Sequence, residues 1–377
     1  MKMDNSPLAS VIILNYNGEK YISQCVKSVL KSDYDNFELI IVDNNSSDHS
    51  LDIVEREFSD NRIKVIKSDK NLGFAGGNNF GAEHATGKYF ILLNIDTIVD
   101  PQWLSELVSV MELDDTIGAA QSKLLSLDDK TVFDSAGDYL DFFGNSFRRG
   151  GDWKEKDNGQ YDNVHEIFSA RGAALITRKE IVEKIGLFDD DYFLDYEDID
   201  FCWRVRLFGL RIVFVPTSLV YHKGAGISSE GNPNVKNFHP LKNKFMTLIK
   251  NYDTANMINY VILPFLFTFF TGTYLVGPLL KRNIDLAKMR FRGYLWVFCN
   301  IRKLRMKRKQ IQRNVRKVSD SEIMKNMIKT SRWQLKIYLY YLLKYGREKA
   351  HKLYFNRGFP KNTFEKDTHN NYGKTNT

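Results

Sequence analysis

Residues 89–99 read YFILLNIDTIV, and the reading of this stretch decides the fold. Tyr89 to Leu93 form a run apolar enough and long enough for a buried strand. The run ends in Asn94-Ile95-Asp96, which sets two oxygen-bearing side chains on one side of an extended backbone, because side chains alternate with a period of two. Something beyond that strand end requires oxygen donors.

Outward from this strand the pattern alternates. SVIIL at Ser10–Leu14, FELIIVD at Phe37–Asp43 and RIKVIKS at Arg62–Ser68 read as further strands. Between them, Ile22, Cys25, Val26, Val29 and Leu30 recur at helical spacing, and Leu51, Val54 and Phe58 share a helical face behind an Asn/Ser-rich start. A short helix is expected over Gly77–Ala85, and another after Asp100-Pro101 with Trp103, Leu104, Leu107, Val108 and Met111 inward. Strand and helix in alternation predict an α/β fold with a mostly parallel sheet covered by helices. In such sheets ligands bind beyond the carboxyl ends of the strands. The four strand ends here carry Asn15-Tyr16-Asn17-Gly18, Asp43-Asn44-Asn45-Ser46-Ser47, Asn71-Leu72-Gly73 and Asn94-Ile95-Asp96. Any one of these is an ordinary turn; four on one sheet edge point to a site.

The motifs narrow the chemistry. Gly73, Gly76, Gly77 and Gly81 form a cluster, but the dinucleotide fingerprint needs its glycines after the first strand, and no Gly-Lys-Ser/Thr phosphate loop is present. The cluster either lets backbone approach a ligand or makes a tight turn. Asn94 and Asp96 suit Mg²⁺ or Mn²⁺, which are held by one or two carboxylates plus substrate phosphates. Glu197-Asp198 opens a helix behind Asp189, Asp190, Asp191 and Asp195. Acids favour helix N-termini, and crowded carboxylates also raise one another's pKa, as a general base requires. Residues 117–177 read as irregular and antiparallel, with SARGAALIT as a small-residue strand; a later strand ends at Pro216, and His222 just beyond it is either a metal ligand or a surface histidine.

Composition bounds the class. The 377 residues are 43% hydrophobic, enough for a real core and against disorder. Three dispersed cysteines support neither a disulfide framework nor a zinc site and fit a reducing compartment. No apolar signal segment precedes the first strand, so the body is expected in the cytosol. Residues 1–241 carry 25 Lys and Arg against 39 Asp and Glu, a balance of −14, whereas residues 242–377 carry 29 against 7, a balance of +22. This is an acidic body with a basic tail.

As a set, SVIILNYNG, IIVDNNSSD, KNLGFAGGNN, LLNIDT and FLDYEDIDFCWRVRLFGLRIVFVPTSLVYHKG resemble the second family of inverting glycosyltransferases, in particular its rhamnosyltransferase-like branch. The resemblance covers about residues 9–250 and implies the GT-A fold, a nucleotide-sugar donor and a divalent metal. By that resemblance Asp43 hydrogen-bonds the donor's pyrimidine with Asn15 helping, Asn71, Gly73 and Asn79 line the donor pocket, and Asp96 is the main metal residue. Asn94 stands where many relatives have aspartate, and Asp195 where relatives often carry an aromatic. Asp198 matches the catalytic base, Glu197 its supporting neighbour, and His222 a further metal or diphosphate contact. The donor implied is dTDP-rhamnose, with UDP- and GDP-sugars as alternatives. The acceptor implied is a lipid-linked saccharide or a polysaccharide.

The tail adds attachment. Two domains are expected: residues 1–250 as the catalytic domain, and 251–377 as a helical basic region. Thr254–Leu280 carries no charge, long enough to span a bilayer, yet Arg302–Lys317 holds nine Lys and Arg in sixteen residues. A body on the cytoplasmic side and a basic segment wanting that same side exclude one simple span. Pro264, Gly272 and Pro278 allow a broken, re-entrant or interfacial hairpin, and apolar burial with a polybasic patch gives stable attachment to an anionic membrane. Gln334–Leu353 adds a basic amphipathic helix. The expectation is a peripheral or monotopic protein on the cytoplasmic side of the cell membrane. A buried helical pair is the alternative for Thr254–Leu280. A nucleic-acid- or membrane-binding protein with an inactive glycosyltransferase-like domain is the competing function, and nucleic acid is not expected, since that reading leaves the strand-end clusters unexplained.

Overall fold

Strand β1 (Ala9–Asn15) lies buried at the middle of the sheet, as ASVIILN requires. It pairs in parallel with β2 (Phe37–Asp43) on one side and β4 (Tyr89–Asn94) on the other, and β3 (Ile63–Lys67) continues parallel beyond β2. The computed structural model describes residues 6–152, 154–224, 233–265 and 284–329. Beyond β4 the sheet becomes mixed. β11 (Ala174–Arg178) runs antiparallel between β4 and β6 (Ile117–Ser126), and β12 (Arg211–His222) is parallel to β6. Short strands complete it: β5 (Thr97–Val99) on β12, β7 (Phe133–Ser135) on β6 and β10 (His165–Glu166) on β12. β8 (Asp138–Leu140) and β9 (Ser146–Arg148) make a separate hairpin.

Helices α1 (Ile22–Leu30), α2 (Ser50–Glu57) and α4 (Trp103–Leu113) match the apolar spacing read from sequence. α3 (Gly73–Glu83) starts four residues earlier than expected. Its glycines are packing residues: a Cβ on Gly77 would stand 2.3 Å from Leu14 Cδ1, and one on Gly81 2.5 Å from Ile12 Cγ2. Helix and sheet touch through backbone there, and the ligand-approach and tight-turn readings of those two glycines both give way. The last long strand also differs, running on past Pro216 to His222 with a register shift between Val215 and Leu219. A proline at such an irregularity forfeits no ladder hydrogen bond.

Residues 1–328 form one compact unit. Within it, charge pairs join the body to residues on both sides of the boundary expected after residue 250. Lys250, at the end of α7 (Pro233–Asn251), reaches Asp189 at 2.7 Å and Asp200 at 3.1 Å. On the helix Ile301–Gln310, Lys303 pairs with Asp191 at 2.5 Å, and Lys307 pairs with Asp189 and, at 2.6 Å, Asp191. Asp189 and Asp191 are thus neutralised by the basic region rather than crowding the expected base.

Among the described residues no helix is long and apolar enough to cross a membrane. Of Thr254–Leu280, α8 (Thr254–Met257) and the turn Ile258–Ile262 are described; residues 266–280, with Gly272 and Pro278, and the expected helix Gln334–Leu353 lie outside the described residues.

Asp200 is fully buried, and Lys250 is the first of the cations that hold its carboxyl low against burial. Lys250→Met should cost about 3 kcal/mol, the lower end for breaking a buried pair, because Arg204 and Asn251 also contact Asp200. Chemical denaturation at neutral pH measures it.

Candidate active site

The register of β1 with β2 sets Asn15 opposite Asp43. Asn15 Nδ2 donates to Asp43 Oδ1 at 3.2 Å, Ser46 Oγ at 3.1 Å and Ser50 Oγ at 2.8 Å. Those bonds fix a buried carboxylate at the sheet edge. Asn15 Oδ1 is buried without a partner, an acceptor that a ligand N–H such as a nucleobase imide would satisfy. Asn71 Oδ1 accepts from Gly73 N at 2.8 Å and Asn44 Nδ2 at 3.0 Å, while Asn44 Oδ1 accepts from Leu72 N at 2.8 Å. Gly73 has φ +72°, and a Cβ there would meet the Phe193 carbonyl at 2.5 Å. Asn79 donates to Phe188 O at 2.9 Å and Asp190 Oδ1 at 2.7 Å, and accepts from Phe188 N at 3.0 Å. Asn71, Gly73 and Asn79 thus shape the loop around the pocket through contacts within the protein.

The same edge continues at β4. β5 turns back antiparallel along β12 and places Thr97 opposite His222. His222 Nε2 lies 3.3 Å from Asp96 Oδ1, and Nδ1 lies 2.8 Å from Asp134 Oδ2. Burial alone lowers an imidazole pKa, but hydrogen bonds to Asp134 and Asp96 outweigh it and push His222 up to about 9. Burial works against Asp134 as well, yet His222, Arg171 and Arg148 hold that carboxyl well below the usual range. Asn94 Nδ2 lies 3.2 Å from His222 Nε2, a contact that is a hydrogen bond only where Nε2 is unprotonated and accepts.

This set fits the expected cation. Asp96 and Asn94 offer oxygens, and His222 offers a nitrogen once Nε2 gives up its proton, with Asp134 on Nδ1 fixing the tautomer. Among the described residues no three His, Cys, Asp or Glu side chains form a metal cage. So short a donor set suits Mg²⁺ or Mn²⁺, which retain waters and take substrate phosphates as ligands.

The expected base, Asp198, is placed by strain. Phe193, Asp195 and Tyr196 sit at φ 64°, 68° and 70° immediately before α6 (Glu197–Leu207), a left-handed conformation that costs non-glycine residues about 1–3 kcal/mol each. Asn243 on α7 holds them there, its Nδ2 donating to the carbonyls of Tyr192, Leu194 and Asp195 at 3.0, 2.7 and 2.6 Å. Tyr196 Oη adds a bond to Gly144 O at 2.8 Å. Asp198 then accepts from Gly172 N at 3.1 Å and Ile199 N at 2.7 Å. Next to Gly172, Ala173 O accepts from Asn94 N at 3.0 Å, so two adjacent residues tie the base to the end of β4.

Glu197 differs from its neighbour. It is buried with one carboxyl oxygen unpartnered, and burial, then Asp198 and Asp195, raise its pKa well above the ordinary range. Burial and these neighbours favour its protonated form beside Asp198. Asp195 is also raised, by burial and then by Asp198. Arg171 opposes all of this: its Nη1 lies 3.3 Å from Asp138 Oδ2, while burial pushes Asp138 up to about 6.

The structure therefore brings Asn15 with Asp43, Asn94 with Asp96 and His222, and Glu197 with Asp198 onto one edge. Asn44, named only within its strand-end cluster, belongs to the same construction, as do Asp134, Asp138, Arg171 and Asn243, which were not foreseen. Arg171 had a signal, as the lone charge in FSARGAALIT at residues 168–177, but only its first half is not strand: Phe168–Ala173 curves toward the base and β11 begins at Ala174. Asn243 had none.

Residues 10–186 match the family model described as Glycosyl transferase family 2. The chain is 35% identical over 154 residues to an uncharacterized glycosyltransferase of Haemophilus influenzae, covering 40% of this chain and 45% of that protein. It is 38% identical over 104 residues to the UDP-Glc:alpha-D-GlcNAc-diphosphoundecaprenol beta-1,3-glucosyltransferase WfgD of Escherichia coli, covering 28% of this chain and 41% of that protein. The matches thus span less than half the length of these curated relatives. Among solved structures, GalNAc-T7 with UDP, GalNAc and Mn²⁺ is similar at TM-score 0.54 and 19% identity, over 69% of this chain and 51% of that one. Residues 10–186 are thus similar to family 2 glycosyltransferases, and the chain has a GT-A-like α/β fold, the fold class expected from its sequence.

The raised pKa of Glu197 makes stability depend on pH. Above about pH 4.5 an unfolded chain releases this proton more readily than the native state does, so the native state binds more protons and stability falls as pH rises. Glu197→Gln cannot titrate. Its stability relative to wild type should climb as pH rises above about 4.5, by at most about 1.4 kcal/mol per pH unit; denaturation curves whose difference does not change with pH would refute a raised Glu197 pKa.

Proposed function

We propose that the protein is an inverting glycosyltransferase that moves a sugar from a nucleoside diphosphate donor to a hydroxyl of a lipid-linked or polysaccharide acceptor in surface-glycan assembly. The observation carrying this reading is the assembly on one sheet edge of the Asn15–Asp43 pair, the Asp96–His222 pair and the tethered Asp198. WfgD is named for a UDP-glucose donor and a diphosphoundecaprenol acceptor, and GalNAc-T7 was crystallised with UDP and Mn²⁺. These support the donor and acceptor classes; rhamnose as the sugar rests on the sequence resemblance.

Asn15 and Asp43 bind the nucleobase. Asp96, Asn94 and His222 hold a Mg²⁺ or Mn²⁺ ion, which when bound supplies positive charge against the donor diphosphate. Asp198 takes the proton of the acceptor hydroxyl as its oxygen bonds to the anomeric carbon, and the bond from that carbon to the diphosphate breaks on the opposite face. One displacement inverts the configuration and releases the nucleoside diphosphate. Burial disfavours a second negative charge on Glu197 at the side of Asp198, and the amides of Gly172 and Ile199 orient the Asp198 oxygens.

Two measurements test this. UDP, GDP and dTDP, with and without Mn²⁺, should include one nucleotide that raises the thermal midpoint in a metal-dependent way, and Asp43→Ala and Asp96→Ala should each weaken that protection. No protection by any of them in folded protein would overturn the donor site. With the donor identified, Asp198→Asn should keep the nucleotide protection and lose about 10² to 10⁴-fold in transfer rate, the contribution of a positioned base.

A further inference from the structure

We propose that the described part of the basic region forms a docking face for an anionic lipid bilayer, apolar at one end and phosphate-binding at the other. The face lies apart from the candidate active site; it deepens the functional reading by naming where a lipid-linked acceptor is met, and rests on that reading only there.

Helices Ile284–Cys299 and Ile301–Gln310 follow each other with Asn300 alone between them. The helical ladder crosses the junction through Asn300 N to Trp296 O at 3.0 Å and Leu304 N to Asn300 O at 2.9 Å. Along this rod the exposed residues Phe291, Leu295 and Phe298 are followed, at steps of three and four, by exposed Arg302, Arg305, Lys309 and Arg313. Such steps keep one stripe, which changes from apolar to basic at the junction. Phe291 is 54% and Phe298 59% exposed, an unusual position for rings of that size.

A second element runs beside the first in the opposite direction. At the basic end Arg308 Nη2 donates to Thr254 Oγ1 at 3.3 Å, and at the apolar end Phe265 packs on Tyr294 and Phe298 with centroids 5.1 and 5.6 Å apart. Between those points Ile258, Ile262 and Leu263 are exposed. Two neighbouring ridges therefore show large apolar side chains at the same end.

The basic end is concave. A cleft of about 330 Å³ is lined by Arg305, Arg308, Lys309 and Arg313 together with Asp253. Asp253 is occupied in capping α8 through Asn256 N at 2.7 Å, and Arg308 in holding the carbonyls of Ile249, at 2.7 Å, and Tyr252. Arg305, Lys309 and Arg313 have no acidic partner among the described residues, in contrast to Lys303 and Lys307 on the same helix. Unpaired bases converging on a cleft suit a phosphate. An apolar patch rimmed by such bases matches the anionic surface of a bilayer, with rings inserted and bases at headgroup level.

Co-sedimentation of the full chain with vesicles tests the face. Wild type should bind equimolar phosphatidylglycerol and phosphatidylcholine far better than phosphatidylcholine alone. The triple variant Arg305→Gln/Lys309→Gln/Arg313→Gln should lose about a hundredfold in affinity, at about fivefold per base. Phe291→Ser/Leu295→Ser/Phe298→Ser should lose the part of binding that survives high salt. A thermal unfolding midpoint like that of wild type reports that both variants are folded and keeps this test separate from the active-site reading: loss of vesicle binding supports the face whether or not wild type binds a nucleotide. Both variants binding vesicles like wild type would place attachment elsewhere in the chain. A dimeric wild type made monomeric by the serine variant, with vesicle binding unchanged, would assign the face to a second copy of the chain. Either result overturns the proposal.

Discussion

The parallel register of β2, β1 and β4 is the constraint from which the candidate site follows. Once Ala9 to Asn15 pair in step with Phe37 to Asp43, and Leu14 sits opposite Asn94, the polar residues ending three strands have no choice of edge. The strands interior to that edge are almost wholly apolar, so a slip by one residue would turn buried side chains over and is resisted by the core. The position of Asn15, Asp43 and Asn94 is therefore secured by hydrophobic burial some way from where they act. Gly77 and Gly81 serve the same end, since without them α3 could not lie flat on β1 and β2.

The His222 and Asp198 side is held by other means. Beyond β4 polar contacts add to the strand pairing: the β5–β12 pairing carries His222 to Asp96, and Asp134 on β7 binds its other nitrogen. The loop before α6 holds consecutive left-handed residues that local preference would not choose. Asn243 binds three of its carbonyls, and Phe74 N and Gly73 meet Phe193 from the donor side. Strain in the loop before Asp198 is thus balanced by contacts from α7 and α3, which couples the position of Asp198 to both helices.

The uneven distribution of charge along the chain also resolves into two uses. Lys250, Lys303 and Lys307 answer Asp189, Asp191 and Asp200, folding the start of the basic region into the body. The bases one helical face away, Arg305, Lys309 and Arg313, answer no acid among the described residues. Position on the helix, and not composition, separates the two sets.

The sequence by itself determined the α/β class, the boundaries of the first four strands to within a residue or two, and the polar strand ends, because burial of parallel strands writes continuous apolar runs that stop where the ligand edge begins. It also carried the pairing of Glu197 with Asp198 at a helix start and the likeness to family 2 glycosyltransferases, since short motifs keep their order. Only the tertiary structure decided that the glycines at 77 and 81 serve packing, that Asn79 is engaged within the protein, that two of the four aspartates before α6, Asp189 and Asp191, are neutralised from residues 250–307, and that Asp134, Arg171 and Asn243 belong to the site. Each of those depends on residues brought together from far apart in the chain, through side-chain geometry that no local periodicity encodes.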